Sequence, residues 1–555
     1  MPNVRLSIVF LVILCSCSGS DSNSPSEPGP PAVSTLAVIP ELDTLARGQT
    51  RVIEIIVKDA AGNRLPSQSI DWTTSDSTVA TVERHPVSPN QNGVITAVSP
   101  GSATVTASGG GKIASLKVVV VPFGTVARVV ISPGASLLGI GMPYRFSAVS
   151  RDVVFNDIPN KTVTWTTSNA SVATVDQSGV VSGVSDGTAT ITATVEAVSG
   201  TVDVTVIPVT STGAFTSVAT GGGTACALNA SGKAFCWGEG ASGQLGNDLK
   251  IRSTFPVPVS GNLSFASIVP GAINTCALTS AGKAYCWGRG NYSANGDGSS
   301  VERLAPVAVS GPQTFREIAV GSRNVCALST ENDVFCWGDA EFGALGTGAT
   351  ATVSIPAAIS GNLKFKGIST KFLHACALAA DGTAYCWGDN RSGAIGNGTT
   401  GNIVSLPAPV SGGKKFSSIK AGETFTCAID TEGAAWCWGS NFLGQLGNGT
   451  LTASTVPVAV SGGLRFTSIA VGNSHTCGIR DDGDVYCWGL NDGGNLANGK
   501  GANSQSPTPV LGGLKFVSLT AGTRSTCGIT NDGKAYCWGP TFTSSGSPEL
   551  VRENP

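Results

Sequence analysis

The chain has 555 residues, of which 41% are hydrophobic and only 13% charged, with 34 Lys and Arg against 36 Asp and Glu. Near-balanced charge without a basic run argues against a nucleic-acid partner. The apolar content is too high for disorder and suits buried β structure.

At the N-terminus, Arg5 precedes the apolar run Leu6 to Leu14, too short to span a bilayer and of the length of a signal-peptide core. Leu14-Cys15-Ser16-Cys17 resembles a bacterial lipobox. Cleavage after Ser16 would leave Cys17 as a lipidated N-terminus, so residues 1–16 read as signal peptide. An ordinary secretory signal remains the alternative. Ser18 follows Cys17, so retention at the inner membrane is not signalled. Residues 17–32 (SGSDSNSPSEPGPPA after the cysteine) hold almost nothing able to pack and form a tether.

Residues 33–122 and 125–208 are two copies of one β-rich text. Asp71-Trp72-Thr73-Thr74-Ser75 matches Thr164-Trp165-Thr166-Thr167-Ser168, and Val79-Ala80-Thr81-Val82 matches Val172-Ala173-Thr174-Val175. Gly101-Ser102-Ala103-Thr104-Val105 matches Gly187-Thr188-Ala189-Thr190-Ile191. Short strands of period 2 separated by turns predict a β-sandwich for each. The motifs resemble the bacterial immunoglobulin-like domain, group 2. That resemblance implies a surface protein in which such modules serve as spacers in a stalk.

Residues 213–555 change character. Fourteen cysteines form seven pairs: Cys226 with Cys236, Cys276 with Cys286, Cys326 with Cys336, Cys376 with Cys386, Cys427 with Cys437, Cys477 with Cys487 and Cys527 with Cys537. A period near 50 residues, each opening Cys-Trp-Gly at the second cysteine, predicts a closed seven-bladed β-propeller. Between the paired cysteines lies a tight loop ending in Gly232, Gly282, Gly382, Gly433, Gly483 or Gly533, with Asn332 as the exception. Glycine and asparagine are the residues that tolerate the positive φ such loops need. The loop sets the cysteines opposite one another, close enough to bridge, so one disulfide per hairpin is expected. Zinc would want C-x2-C pairs or clustered histidines, and only His85, His374 and His475 exist. Disulfides require an oxidising compartment, in agreement with export. No cofactor or metal is expected.

Phe466-Thr467-Ser468-Ile469-Ala470-Val471-Gly472, Tyr486-Cys487-Trp488-Gly489 and Gly444-Gln445-Leu446-Gly447-Asn448 resemble the regulator of chromosome condensation repeat family. The resemblance runs from Phe215 to the C-terminus and implies a seven-bladed propeller. The nucleotide-exchange role of the eukaryotic namesake is not expected in an exported chain. Exported relatives that inhibit β-lactamases imply a protein-binding face.

Three departures from the repeat stand out. Blade 2 carries Ser293-Ala294-Asn295-Gly296 in place of Gly-x-Leu-Gly, and blade 4 carries Lys371-Phe372-Leu373-His374 where the others begin with glycine. Blade 7 has only a shortened loop after Cys537-Trp538-Gly539, followed by Pro548-Glu549-Leu550-Val551. That last segment is expected to add an outer strand to blade 1 and close the ring, with Val206 to Val209 as the competing candidate.

No catalytic residues are assigned. Gly183-Val184-Ser185-Asp186-Gly187 and Gly238-Glu239-Gly240-Ala241-Ser242-Gly243 match short catalytic and phosphate-binding patterns, but each lies in a turn of a β repeat with no helix behind it. Binding is expected on loops that vary against a fixed frame. One loop precedes the first cysteine of each pair and supplies Arg323, Phe372, His374, Phe425, His475 and Arg524. The other follows Cys-Trp-Gly and supplies Arg289, Tyr292, Phe342, Arg391 and Phe442. Arginine and aromatic residues dominate interface hot spots. The reading is a monomeric, lipid-anchored, non-enzymatic envelope protein whose propeller serves protein recognition or adhesion, with a carbohydrate-binding or polysaccharide-acting propeller as the alternative.

Overall fold

A computed structural model describes residues 32–39, 42–65, 69–85, 92–122, 124–153, 155–209, 212–540 and 546–551. The expected signal peptide, the lipidation site Cys17 and residues 18–31 of the expected tether lie outside the described residues. The fold is all β, and no helix among the described residues is long and apolar enough to cross a membrane.

The chain forms two compact units. In the first, the sheet Thr35–Ile39, Thr50–Lys58, Gly93–Ala97, Ala80–Arg84 faces the sheet Leu42–Ala46, Lys112–Val121, Gly101–Gly109, Asp71–Thr74. Period-2 alternation decides which side chains meet: Ile53, Ile55 and Val57 from one sheet, Val105, Leu116 and Val118 from the other, all in one core.

The second unit contains the larger part of the second immunoglobulin-like copy and all of the cysteine repeats. In Gly187–Val195, Ala189, Ile191, Ala193 and Val195 point inward while threonines alternate outward. Strand Ser136–Gly139 runs parallel to Val204–Ile207 on one side. On its other side Ser136 and Leu137 pair with Arg252 and Ser253 of the first cysteine repeat. The result is one continuous eight-stranded sheet. A copy whose sequence reads as a spacer is thus hydrogen-bonded into the head.

Each cysteine repeat forms a blade-like antiparallel sheet of four consecutive strands. The first is Phe215–Thr220, Thr224–Asn229, Ala234–Gly238 and Arg252–Pro258, and the last ends in the stub Glu549–Leu550. In every repeat the two cysteines stand opposite each other on neighbouring strands. All the expected disulfides are present. Cys226 is bridged to Cys236, Cys276 to Cys286, Cys326 to Cys336 and Cys376 to Cys386. Cys427 is likewise bridged to Cys437, Cys477 to Cys487 and Cys527 to Cys537. Their Cα atoms lie 4.0–4.1 Å apart, the close approach of a non-hydrogen-bonded pair. The loop glycines and Asn332 take the positive φ expected of them, from 68° at Asn332 to 86° at Gly433.

The sheets pack through tryptophan. The indole N–H of Trp287, Trp337, Trp387, Trp438, Trp488 and Trp538 donates to a carbonyl in the Gly-x-Leu-Gly loop of the preceding blade, at 2.8–3.1 Å. All six rings are fully buried. In blade 2, Ala294 still supplies the carbonyl to Trp337, and Asn295 replaces the buried leucine, bonding Gly288 O and Val301 O. That departure therefore conserves the seam.

The expected closure is corrected. Leu550 and Glu549 pair with Tyr536 and Cys537 of blade 7 itself, and the outer strand of blade 1 is Arg252–Pro258. Val206 pairs with Gly187 and Leu138 in the immunoglobulin-like copy, so the competing candidate is also excluded. Because the repeat begins at an inner strand, every blade completes itself from contiguous sequence and no strand exchange is needed. Blade 7 instead meets blade 1 by packing. Cys527, Ile529 and Cys537 share a core with Phe215, Phe235 and Trp237, and the Thr523 N–H donates to Gly221 O at 2.9 Å.

Candidate functional site

The two variable loops of a blade do emerge together. The N–H of Arg289, Asp339, Asp389, Ser440 and Leu490, each just after Cys-Trp-Gly, donates to the carbonyl of Ile273, Arg323, Leu373, Thr424 and Ser474 respectively, at 2.9–3.0 Å. These bonds fix both loops to one end of blades 2 to 6.

On that rim, arginines and aromatics from neighbouring blades pair. The Arg323 guanidinium lies 4.6 Å from the Tyr292 ring centre and contacts Glu341 at 3.3 Å and Asp339 at 3.5 Å. The Arg391 guanidinium lies 4.4 Å from the Phe342 ring centre and contacts Asp389 at 2.7 Å. Burial pushes the Asp389 carboxyl up, but the hydrogen bonds and charge of Arg391 together outweigh it and hold the group below its usual range. Phe342 itself sits at φ 62°, an uncommon conformation for a bulky residue, and one that presents its ring to Arg391. Phe442 is 73% exposed, and Arg289 is also exposed. Phe372 is half-buried.

Three expected contact residues are corrected. His374, Phe425 and His475 are buried at the start of the second strand of their blades, where no partner can reach them. The Nε2 atoms of His374 and His475 lie 2.9 Å from the hydroxyls of Thr426 and Thr526 in the following blades. Burial lowers their pKa values to about 4 and about 3, so both rings are neutral near pH 7. Alternation explains the mistake. These positions open a strand inside the frame, one residue beyond the true loop.

Lys371 has a role the rim reading missed. It replaces the glycine that the other six blades carry, and its ammonium donates to Ala521 O of blade 7 at 2.7 Å. This bond joins the fourth blade directly to the seventh. Part of the residue remains accessible, but its charged end is enclosed. Burial, with Lys420 nearby, lowers its pKa to about 8.

A further cleft lies elsewhere, at the meeting of blade 7 and blade 1. A cleft of about 980 Å³ opens between Trp237 and Arg252 of blade 1, Arg524 and Pro540 of blade 7, and Tyr144 and Arg145 of the second immunoglobulin-like copy. Arg524, expected on the rim, is exposed at this cleft and pairs with Asp492. The truncated blade was visible in the sequence. The contribution of Tyr144 and Arg145 was not, because it depends on the strand pairing at Arg252.

The model of the regulator of chromosome condensation repeat matches residues 215–244, 315–344, 365–394, 416–445 and 466–495 in one form. A second form matches 231–278, 281–328, 381–429, 432–479 and 482–529. Together they cover more than half of the chain. It belongs to the regulator of chromosome condensation repeat family. The bacterial Ig-like domain (group 2) matches residues 32–118 and 147–206.

Among solved structures, human WBSCR16 is 21% identical with a TM-score of 0.53, covering 57% of this chain and 88% of that one. Prp20p of Saccharomyces cerevisiae, described with its binding to Gsp1p and histones, is 20% identical with a TM-score of 0.50, covering 57% and 83%. At such identities the likeness concerns the fold. Ice-binding protein 1 of Shewanella frigidimarina is 27% identical over 181 residues, 32% of this chain, and the chain spans 19% of that protein's length. Unlike a cytoplasmic repeat protein, this member of the family carries a disulfide in every repeat, the mark of an oxidising, extracytoplasmic environment.

Proposed function

We propose that the chain is an exported cell-envelope binding protein, a seven-bladed propeller carried on two immunoglobulin-like sandwiches, whose loop rim recognises another protein. The observation that carries this reading is the pair of arginine–aromatic stacks, Tyr292 with Arg323 and Phe342 with Arg391, set side by side on blades 2 to 4. Flat guanidinium–aromatic pairs on a rigid frame are what protein interfaces use as hot spots, because little side-chain entropy is left to lose on binding. The disulfide in each blade supplies that rigidity. Lipidation at Cys17 would hold the protein at the membrane surface through its tether, and a monomer suffices for this role. Neither the exchange activity of the eukaryotic family members nor ice binding is carried over, since no observation in this chain favours either.

The test is proximity labelling on intact cells with the wild type and with a triple variant, Arg323→Ala, Arg391→Ala and Phe442→Ala. All three side chains are at least partly exposed, so the fold should persist. The wild type should label a protein that the variant does not. Equal labelling by both would dismiss the rim.

A further inference from the structure

We infer that Glu317, Lys371 and Lys420, carried by blades 3, 4 and 5, form a site on the inner wall of the ring that binds the carboxylate of a small organic acid. This inference goes beyond the rim and does not depend on it.

Comparison of the blades with one another locates the site. The first strand of each sheet contacts the first strand of the next, and that of blade 7 contacts that of blade 1, so these strands line the inside of the ring. Their residues are mostly small. At the position of Glu317, five blades carry serine: Ser217, Ser267, Ser418, Ser468 and Ser518. At the position of Lys420, blades 1, 3 and 6 carry alanine, and at that of Lys371 the other six blades carry glycine. Three charged residues thus replace small ones on consecutive blades. The frame does not require them, because its other blades form the same strands with serine, alanine and glycine in these places.

The packing draws the three together. Glu317 reaches blade 4, where its carboxylate accepts from the Ile368 backbone. Ser369 Oγ accepts from the Ala421 N–H at 2.9 Å, which seats the strands leading to Lys371 and Lys420 side by side. The charge of Lys420 acts on both of the others, drawing the Glu317 carboxyl down and the Lys371 amine down. Lys371 is committed to Ala521 O. Lys420 is exposed, and among the described residues its side chain has no hydrogen-bond or ion-pair partner. Ser418, two residues earlier and so on the same strand face, has a buried hydroxyl that also lacks a partner.

Charge selects the ligand. Two ammonium groups stand against one carboxylate, and burial, the largest influence on Glu317, pushes that carboxyl up and weakens it as a counter-ion. A cation held partly out of water without full compensation favours an anion beside it. A carboxylate brings the single negative charge that is missing, with oxygens that accept from an ammonium and a hydroxyl. A phosphate dianion would set a second negative charge against Glu317, and a metal ion would meet two ammonium groups. Lys420 is the contact residue; Lys371, its end enclosed, acts through its charge.

Acetylation of lysines by a water-soluble active ester, read by peptide mass spectrometry on the full, oxidised chain, tests this. The probe is sodium propionate at about 0.1 M in place of chloride at constant ionic strength, so that screening is equal. Propionate should slow acetylation of Lys420 at least about threefold while leaving that of the exposed Lys366 unchanged. Lys371→Gly, which restores the residue of the other blades, and Lys371→Met, which keeps the stem and removes only the charge, should each raise the propionate concentration needed several-fold. Glu317→Ser should lower it, since the competing carboxylate is gone. The rim triple variant should be protected as the wild type is, so that failure of this site and failure of the rim can be told apart. Equal acetylation of Lys420 in propionate and chloride, or protection indifferent to both Lys371 variants, would overturn the inference. Stronger protection by inorganic phosphate than by propionate would overturn it in favour of a phosphate site.

Discussion

Six seams of the ring and the seventh are built from the same strands but not from the same loop. In the six, a tryptophan and a carbonyl interlock with a tight turn, and where that turn is glycine the fit is close. A Cβ at Gly447 would lie 2.7 Å from the Trp488 ring, and one at Gly396 2.5 Å from Trp438. In the seventh, blades 7 and 1 share a core and a backbone bond, and the sequence after Trp538 departs from the Gly-x-Leu-Gly pattern. Repetition holds the six together, and a cleft opens beside the seventh.

The largest effect should come from the feature the seams share. Each disulfide closes a hairpin, for which chain entropy gives about 2–3 kcal/mol. Replacing both Cys427 and Cys437 by serine should lower the unfolding free energy by about that amount in chemical denaturation. Reducing all seven bridges should unfold the head at ordinary temperatures. Unchanged stability after full reduction would mean that packing alone holds the blades.

Two glycines separate backbone strain from the interlock. Gly447 and Gly513 both have positive φ, 65° and 63°, so alanine at either costs about 1 kcal/mol from conformation. Only Gly447 faces an indole; a Cβ at Gly513 would meet nothing within 4 Å. Gly447→Ala should therefore destabilise by about 1–3 kcal/mol more than Gly513→Ala, the usual cost of overpacking. Equal losses would show that the loop does not hold the seam.

Much of this was legible beforehand. The x9 spacing of the cysteines with glycine in the turn fixed the hairpin register, because a one-residue slip would turn every side chain to the wrong face. The recurring Trp of Cys-Trp-Gly marked the packing residue. The sequence was silent on which loop residues stay exposed: His374 and Arg323 are both polar and flank similar motifs, yet one starts a strand and the other ends a loop. It was silent too on the strand pairing of Ser136 and Leu137 with Arg252 and Ser253, a non-local contact that leaves no periodic trace. Both gaps concern tertiary placement, which no local pattern encodes.

Acid should act on the frame through buried histidines. The unfolded chain protonates His374 and His475 near 6.5, whereas the folded chain resists until about 4 and about 3. The unfolded state thus binds more protons as pH falls below 6.5, and stability should decline from there. Blades 2 and 3 carry Asn274 and Asn324 at the equivalent positions, so His374→Asn with His475→Asn should flatten the acid limb of a plot of melting temperature against pH. Lys371 acts at the other end. Its pKa falls from 10.5 to about 8 on folding, so stability should rise between pH 8 and 10.5, and Lys371→Gly should abolish that rise. An unaltered profile in either variant would place the titrating groups elsewhere.

The smallest effect distinguishes the two ways of closing the ring. Were the C-terminal strand the clasp of blade 1, trimming it would open the ring and cost a large share of its stability. In the structure that strand is a two-residue stub on blade 7 whose Leu550 is 49% exposed, and only Val551 reaches the shared core. Leu550→Ala should then cost less than about 0.5 kcal/mol, as surface changes do, and Val551→Ala about 1 kcal/mol for the buried methyls lost. A loss of several kcal/mol at Leu550 would restore the clasp, and with it a seventh seam held by strand exchange, as none of the other six is.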